Sequence, residues 1–192
     1  MMLRRAMILI TAGLVFTACS SRQEPEQPAP EQPPAPVQAR PTVNQDSIDA
    51  ARRAAEEAAR REEAAREARS TLEEMIFFDY DDSSIRSDQQ EVLNRKVAIL
   101  RANPAVTLRV TGHADERGSL EYNLALGRAR ASSVRDYIAG FGLQATRFTI
   151  DSMGEDRPLD AGHTESAWSQ NRRAEFVITA GGDNLTRPTG DW

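Results

Sequence analysis

The stretch T-G-H-A-D-E-R-G-S-L-E-Y-N-L-A-L-G-R-A-R-A-S-S-V-R-D-Y-I, residues 111–138, changes its hydrophobic period part-way. That change decides the fold. The alternation of Val106, Leu108 and Val110 leads into it and reads as a strand with one buried face. Gly112 and Gly118 bracket a charged loop. From Leu120 the period is helical, and Leu120, Leu124, Gly127, Ala131, Val134 and Ile138 mark the expected buried stripe. Asn123 and Arg130 are about two turns apart and so share one face of that helix. The unit is strand, polar loop, helix. It places Asp115 at the strand's exit and Arg130 well along the helix, so one anion and one cation can meet the same ligand.

Working outward, Met75-Ile76-Phe77-Phe78 reads as a short strand, and Asp79-Tyr80-Asp81-Asp82-Ser83-Ser84 as a polar turn. Ser87 opens a helix, and Ser87 with Gln90 fits an S-x-x-Q capping box. Val92, Leu93, Val97, Ile99 and Leu100 form its apolar face, and Asn103-Pro104 ends it. Gly140 and Gly142 stop the long helix. Phe148 to Ser152 is a third strand, Thr164 to Gln170 a short helix, and Arg173 to Thr179 a closing strand. Strands alternating with helices able to cover one sheet face give an α/β two-layer sandwich of βαβαβ type with a closing strand, over residues 75–180. Residues 181–192 read as a loose tail.

Upstream, residues 1–18 have the parts of a secretory signal: Arg4 and Arg5, then a mostly apolar run from Ala6 to Phe16, then the small Ala18 before Cys19. The run is shorter than the about 20 residues a spanning helix needs. F-T-A-C resembles a bacterial lipobox, although Phe16 departs from the usual leucine. Cys19 is then the acylated N-terminus, and two or three acyl chains give stable anchoring. The alternative is an ordinary cleaved signal followed by a free cysteine. Ser20, in place of a retention aspartate, resembles lipoproteins exported to the outer membrane, facing the periplasm.

Residues 19–45 are largely Pro, Gln, Glu and Ala, a disordered tether that favours extended geometry. Residues 46–74 are almost pure helix former, with Glu56, Glu57 and Glu62 each four residues before an arginine. Asn44 or Asp46 is the candidate cap. A solvated spacer is the expected role, since nearly every apolar residue there is alanine. A weak alanine coiled coil is the alternative, interrupted by Glu62.

The residues of the central stretch closely resemble a known family, the OmpA-like peptidoglycan-binding domains, whose motif runs roughly T-G-H-[TA]-D-x-x-G-S-x-x-Y-N-x-x-L-[SG]-x-R-R-A. One departure is visible: the first arginine of the R-R-A pair is Ala129, and the second is kept as Arg130. The resemblance covers about Ile76 to Ile178. It implies that Asp115 and Arg130 grip the diaminopimelate side chain of the cell-wall stem peptide, Asp115 on its ammonium and Arg130 on its carboxylate. It adds Asn123, His113, Asp79, Phe78 and Arg173 as candidate peptidoglycan-binding residues. It also implies a function: tethering the outer membrane to the cell wall, with TolB and other Tol proteins as partners in envelope integrity and cell division.

From the residues alone, the alternatives stay open. Asp115 caps a turn and Arg130 pairs with Glu121 or Glu116, or the two form the clamp. Asn123 orients the peptide or braces the loop. Asp79 forms a turn or, as the resemblance implies, the lip of the site. Asn171-Arg172-Arg173 contacts the glycopeptide or pairs with acids such as Asp115, with a structural role favoured for Arg172.

Composition narrows the classes further. A net charge of −5 with no basic, aromatic-interleaved stripe argues against nucleic acid. One cysteine excludes an internal disulfide and any multi-cysteine metal site. With only His113 and His163, no zinc-like ligand set stands out, and His113 is expected to be a hydrogen-bonded structural histidine. No G-x-S-x-G nucleophile is present. A binding protein without cofactor or metal is expected, not an enzyme. The alternatives are an OmpA-like lipoprotein of another envelope assembly and a cell-wall hydrolase.

Overall fold

The structure, a computed structural model, describes residues 44–188. The readings of a signal, of Cys19 as an acylation site and of a tether fall on residues 1–43, outside the described residues. Helix α1 spans Gln45–Glu73, strand β1 Ile76–Phe77, helix α2 Ser87–Ala102, strand β2 Thr107–His113 and helix α3 Leu120–Gly140. A single 3₁₀ turn, Ala145–Arg147, precedes strand β3 at Phe148–Gly154, helix α4 at Glu165–Asn171 and strand β4 at Arg173–Ala180.

The sheet order is β1-β4-β2-β3. β4 lies antiparallel to both β1 and β2, and β2 runs parallel to β3. Alternate residues Leu108 and Val110 of β2, Phe148 of β3 and Phe176 of β4 are buried in one core with Leu93, Val97, Ile99 and Leu100 of α2. Arg109, Thr149 and Val177 between them are exposed. This is the expected two-layer α/β sandwich, with helices on one sheet face.

Caps differ in part from expectation. Asn44 caps α1, accepting from the Asp46 amide at 3.1 Å. The capping box at Ser87 does not form: α2 begins at Ser87, after Arg86, with no side-chain cap. Its first turn is held to β1 instead, where Gln89 accepts from the Phe77 amide at 3.1 Å. In α3 the inward stripe holds Gly127, Ala131, Val134 and Ile138 as read, but Leu120 is exposed and Asn123 and Arg130 are buried. The first turns of α3 pass over the polar loop, so the inward positions there are polar.

Helix α1 is solvated along most of its length, but not at its end. Ala68 and Leu72 are buried in the main core. Lys96, itself fully buried, donates through Nζ to the carbonyls of Thr71 at 2.7 Å, Leu72 at 2.9 Å and Glu74 at 2.5 Å. These are carbonyls at the helix C-terminus, where cations are favoured. Its ammonium also lies 4.0 Å from the centre of the Phe176 ring. The segment expected as a loose tail packs as far as Arg187. Leu185 is buried, Asn103 exchanges hydrogen bonds with the Thr186 backbone at 2.8 and 2.9 Å, and Arg187 meets Glu67 at 2.8 Å.

Candidate functional site

Helix α3 lies against the end of β2 with almost no side chain between them. A Cβ on Gly112 would sit 1.8 Å from the Gly127 carbonyl oxygen, and one on Gly127 would sit 2.7 Å from that of Gly112. Glycine at both places lets the backbones touch. This contact brings Asn123, about a turn before Gly127, and Arg130, about a turn after it, down onto the loops beyond the sheet.

Arg130 is fully buried and bound to three backbone carbonyls. Nε donates to Asp82 at 2.9 Å, Nη1 to His113 at 2.7 Å and Nη2 to Asp79 at 3.0 Å. The guanidinium lies 5.3 Å from the Phe78 ring centre. Burial, then the neighbouring Arg172 charge, push its pKa down to about 10, partly offset by Asp115, so it remains charged at neutral pH. A guanidinium has five N–H donors. Three are committed here, which leaves one on each terminal nitrogen. Two such donors suit a carboxylate.

Asp115, Asn123 and Arg130 line one pocket of about 190 Å³, together with Tyr80, Arg117 and Tyr122. Burial raises the Asp115 pKa, but hydrogen bonds from Arg117 and Arg172 outweigh it and hold the carboxyl below its usual range. Its partners are Arg117, at 3.0 Å from Nε and 2.7 Å from Nη2, and Arg172, at 3.4 Å. Asn123 donates to the Asp115 carbonyl at 3.1 Å and to Glu155. It therefore braces the loop while lining the pocket. Neither Glu116 nor Glu121 pairs with Arg130. Glu116 instead accepts from His163 at 2.6 Å and from the Trp168 indole at 2.8 Å.

The other expected site residues divide. Phe78 lies beneath the Arg130 guanidinium. Asp79 contributes its carbonyl, while its carboxylate turns to Arg86 at 3.2 Å. His113 likewise contributes only its carbonyl. Its ring is buried, with neither nitrogen hydrogen-bonded, and Nε2 stands 3.6 Å from Glu175. The expectation of a hydrogen-bonded histidine is corrected on this point, because Glu175 is drawn to Arg173 at 2.5 Å. Arg173 also binds the carbonyls of Asn171 and Arg157, at 3.3 and 3.0 Å, and is not among the residues lining the pocket.

Residues 77–172 match the OmpA family. That is half of the sequence and contains the whole pocket. The chain belongs to the OmpA family. Among curated relatives it is 47% identical over 107 residues to a peptidoglycan-associated lipoprotein of Agrobacterium fabrum, covering 56% of this chain and 60% of the relative. It is 44% identical over 107 residues to the protein of that description in Brucella melitensis, covering 56% and 64%. The matched region thus spans less than two thirds of either relative. Among solved structures, it resembles the peptidoglycan-associated lipoprotein of Burkholderia pseudomallei with a TM-score of 0.53 and 36% identity, covering 54% of this chain and 88% of that one.

Within this OmpA-family domain, sequence reasoning left out Tyr80, Arg117 and Tyr122 as pocket walls. Arg117 and Tyr122 stand inside the D-E-R-G-S-L-E-Y-N run, so the signal was present, but spacing alone gave no reason to prefer them. Arg172 has the structural role favoured for it. Its Nε donates to the Phe78 carbonyl at 3.1 Å, and Nη2 lies 2.8 Å from Glu165.

Proposed function

We propose that this protein is a lipid-anchored envelope protein that binds peptidoglycan non-covalently through the diaminopimelate side chain of the stem peptide. Asp115 receives the side-chain ammonium, and the two uncommitted N–H groups of Arg130 receive the carboxylate. The observation that carries this is the shared pocket: Asp115 and Arg130 both line the same 190 Å³ space, and the Arg130 guanidinium keeps one uncommitted N–H on each terminal nitrogen. Its size suits a side chain, not a folded partner. Support also comes from the relatives, whose printed description is peptidoglycan-associated lipoprotein.

Acylation of Cys19 holds the protein in the outer membrane, and residues 19–45 with α1 supply reach across the periplasm. In this setting the protein serves a Tol–Pal type system, with TolB among its partners, in envelope integrity and cell division. The chemistry is binding, with no bond made or broken.

Co-sedimentation of the full-length protein with purified sacculi tests this reading. Native protein is expected in the pellet, with Asp115→Ala left in the supernatant and no muropeptides released. Equal pelleting of the two would overturn the site, and release of muropeptides would revive a hydrolase. Retention of acyl groups, read by mass spectrometry of the membrane fraction, tests the anchor.

A further inference from the structure

All the acceptor positions of Asp115 are taken. One carboxylate oxygen accepts from the Arg117 amide at 3.1 Å and from Arg117 Nε at 3.0 Å. The other accepts from Arg117 Nη2 at 2.7 Å and from Arg172 Nη1 at 3.4 Å. A carboxylate offers about four lone-pair sites. None is left for a ligand ammonium while Arg117 stays where it is.

Arg117 is also stacked. Its guanidinium carbon lies 3.9 Å from the Tyr80 ring centre and 4.1 Å from that of Trp168. Both distances are within cation–π range. Trp168 is in turn fixed by its indole bond to Glu116, and Arg117 Nη1 lies 3.5 Å from Glu165. The 79–84 turn, the loop after β2 and α4 thus form an aromatic-walled slot with a carboxylate floor, and the chain's own arginine fills it.

We propose that Arg117 is a specificity-determining residue of this site: it occupies the cation subsite, and a ligand binds by replacing its guanidinium with an alkylammonium. This deepens the function proposed above and rests on it. Of the two arginines on Asp115, Arg117 is the one able to leave. Its side chain is 29% exposed, whereas that of Arg172 is 7% exposed and is also tied to the Phe78 carbonyl and Glu165. Selection follows from the exchange. A side chain ending in a carboxylate alone can reach Arg130 but cannot draw Arg117 off Asp115. One ending in an ammonium alone displaces Arg117 but leaves the Arg130 donors unpaired. A side chain carrying both satisfies both residues. Self-occupancy keeps affinity low enough for the domain to release its ligand.

The test is titration of the full-length protein and its Arg117→Gln and Arg117→Lys variants with the tripeptide L-Ala-γ-D-Glu-diaminopimelate, with Asp115→Ala in parallel. Arg117→Gln removes the competing charge and is expected to bind about tenfold tighter, the equivalent of one charge-assisted hydrogen bond. Arg117→Lys, which loses the fork and the stacking, is expected to fall between it and native. Nuclear magnetic resonance of the arginine Nε–H groups gives a second readout: the Arg117 signal, held by Asp115 in the free protein, moves to a solvent-exposed position at saturation. Binding that is unchanged or weaker in Arg117→Gln, or an Arg117 signal unmoved by saturating peptide, overturns the proposal while leaving the site intact. Undiminished binding by Asp115→Ala instead overturns the site, and the self-occupancy with it.

Discussion

Gly112 and Gly127 touch backbone to backbone, and this single contact sets the depth at which α3 lies on β2. A methyl group at position 112 would meet the Gly127 carbonyl oxygen at 1.8 Å, so the helix would have to move away from the strand. Gly112→Ala is expected to cost about 3 kcal/mol, the upper end for overpacking a tight contact. It also draws Asn123 and Arg130 out of the pocket. Urea denaturation and peptide titration of the same variant check both effects. A variant that loses stability but keeps native affinity would separate the glycine contact from the site.

Arg130 is a structural residue as well as the proposed ligand contact. Its three carbonyl partners come from the 79–82 turn and the end of β2, so it fastens that turn over the strand. Lysine at this position keeps the charge but not the planar fork. Arg130→Lys is expected to leave at least one buried carbonyl unpaired, to lose about 2 kcal/mol of stability, and to lose binding as well. Chemical denaturation must therefore accompany any binding measurement on an Arg130 variant.

His113 gives the fold a specific acid sensitivity. Burial, then the charge of Arg173, lower its pKa from 6.5 to about 4, although Glu175 opposes the shift. The unfolded chain takes up this proton near pH 6.5 and the folded chain only near pH 4. Stability from this group is therefore complete above pH 6.5, falls as pH drops between those values, and is flat below. The expected loss is on the order of 3 kcal/mol across the window. Unfolding midpoints at pH 7 and pH 5 should differ for the native protein, and the difference should shrink in His113→Gln.

The last turns of α1 belong to the folded domain. Leu72 is fully buried and Lys96 binds three carbonyls at the helix end. Leu72→Ala is expected to cost about 3 kcal/mol, as for other large-to-small core changes. A fragment beginning at Met75 should melt below one beginning at Asn44, as thermal unfolding of the pair would show.

Hydrophobic period located the central strand, loop and helix, and seven-residue spacing put Asn123 and Arg130 on one face. It placed the start of that helix at Leu120 as found, but misread the inward face of its first turns, where Leu120 is exposed and Asn123 takes the inward position. A period built from apolar residues cannot register a polar inward face. The carbonyl-binding roles of Lys96, Arg130 and Arg147 were illegible for a related reason. Each binds three backbone carbonyls, and the positions of those carbonyls depend on how distant loops fold. The buried end of α1 was missed because Ala68 and Leu72 alone give too faint a stripe in an alanine-rich helix. Arg117 sits two residues from Asp115, a spacing that signals nothing until the loop is closed.

The most direct measurement is calorimetric titration of the full-length protein with two muropeptides that differ only in carrying diaminopimelate or lysine. The lysine side chain has the ammonium for Asp115 but no carboxylate for the two free N–H groups of Arg130. The diaminopimelate form should bind more tightly by about 2 kcal/mol, more than tenfold. Asp115→Ala should lose most of the affinity for it. Equal binding of the two muropeptides by the native protein would contradict the pairing of Arg130 with a ligand carboxylate, on which the proposed function rests.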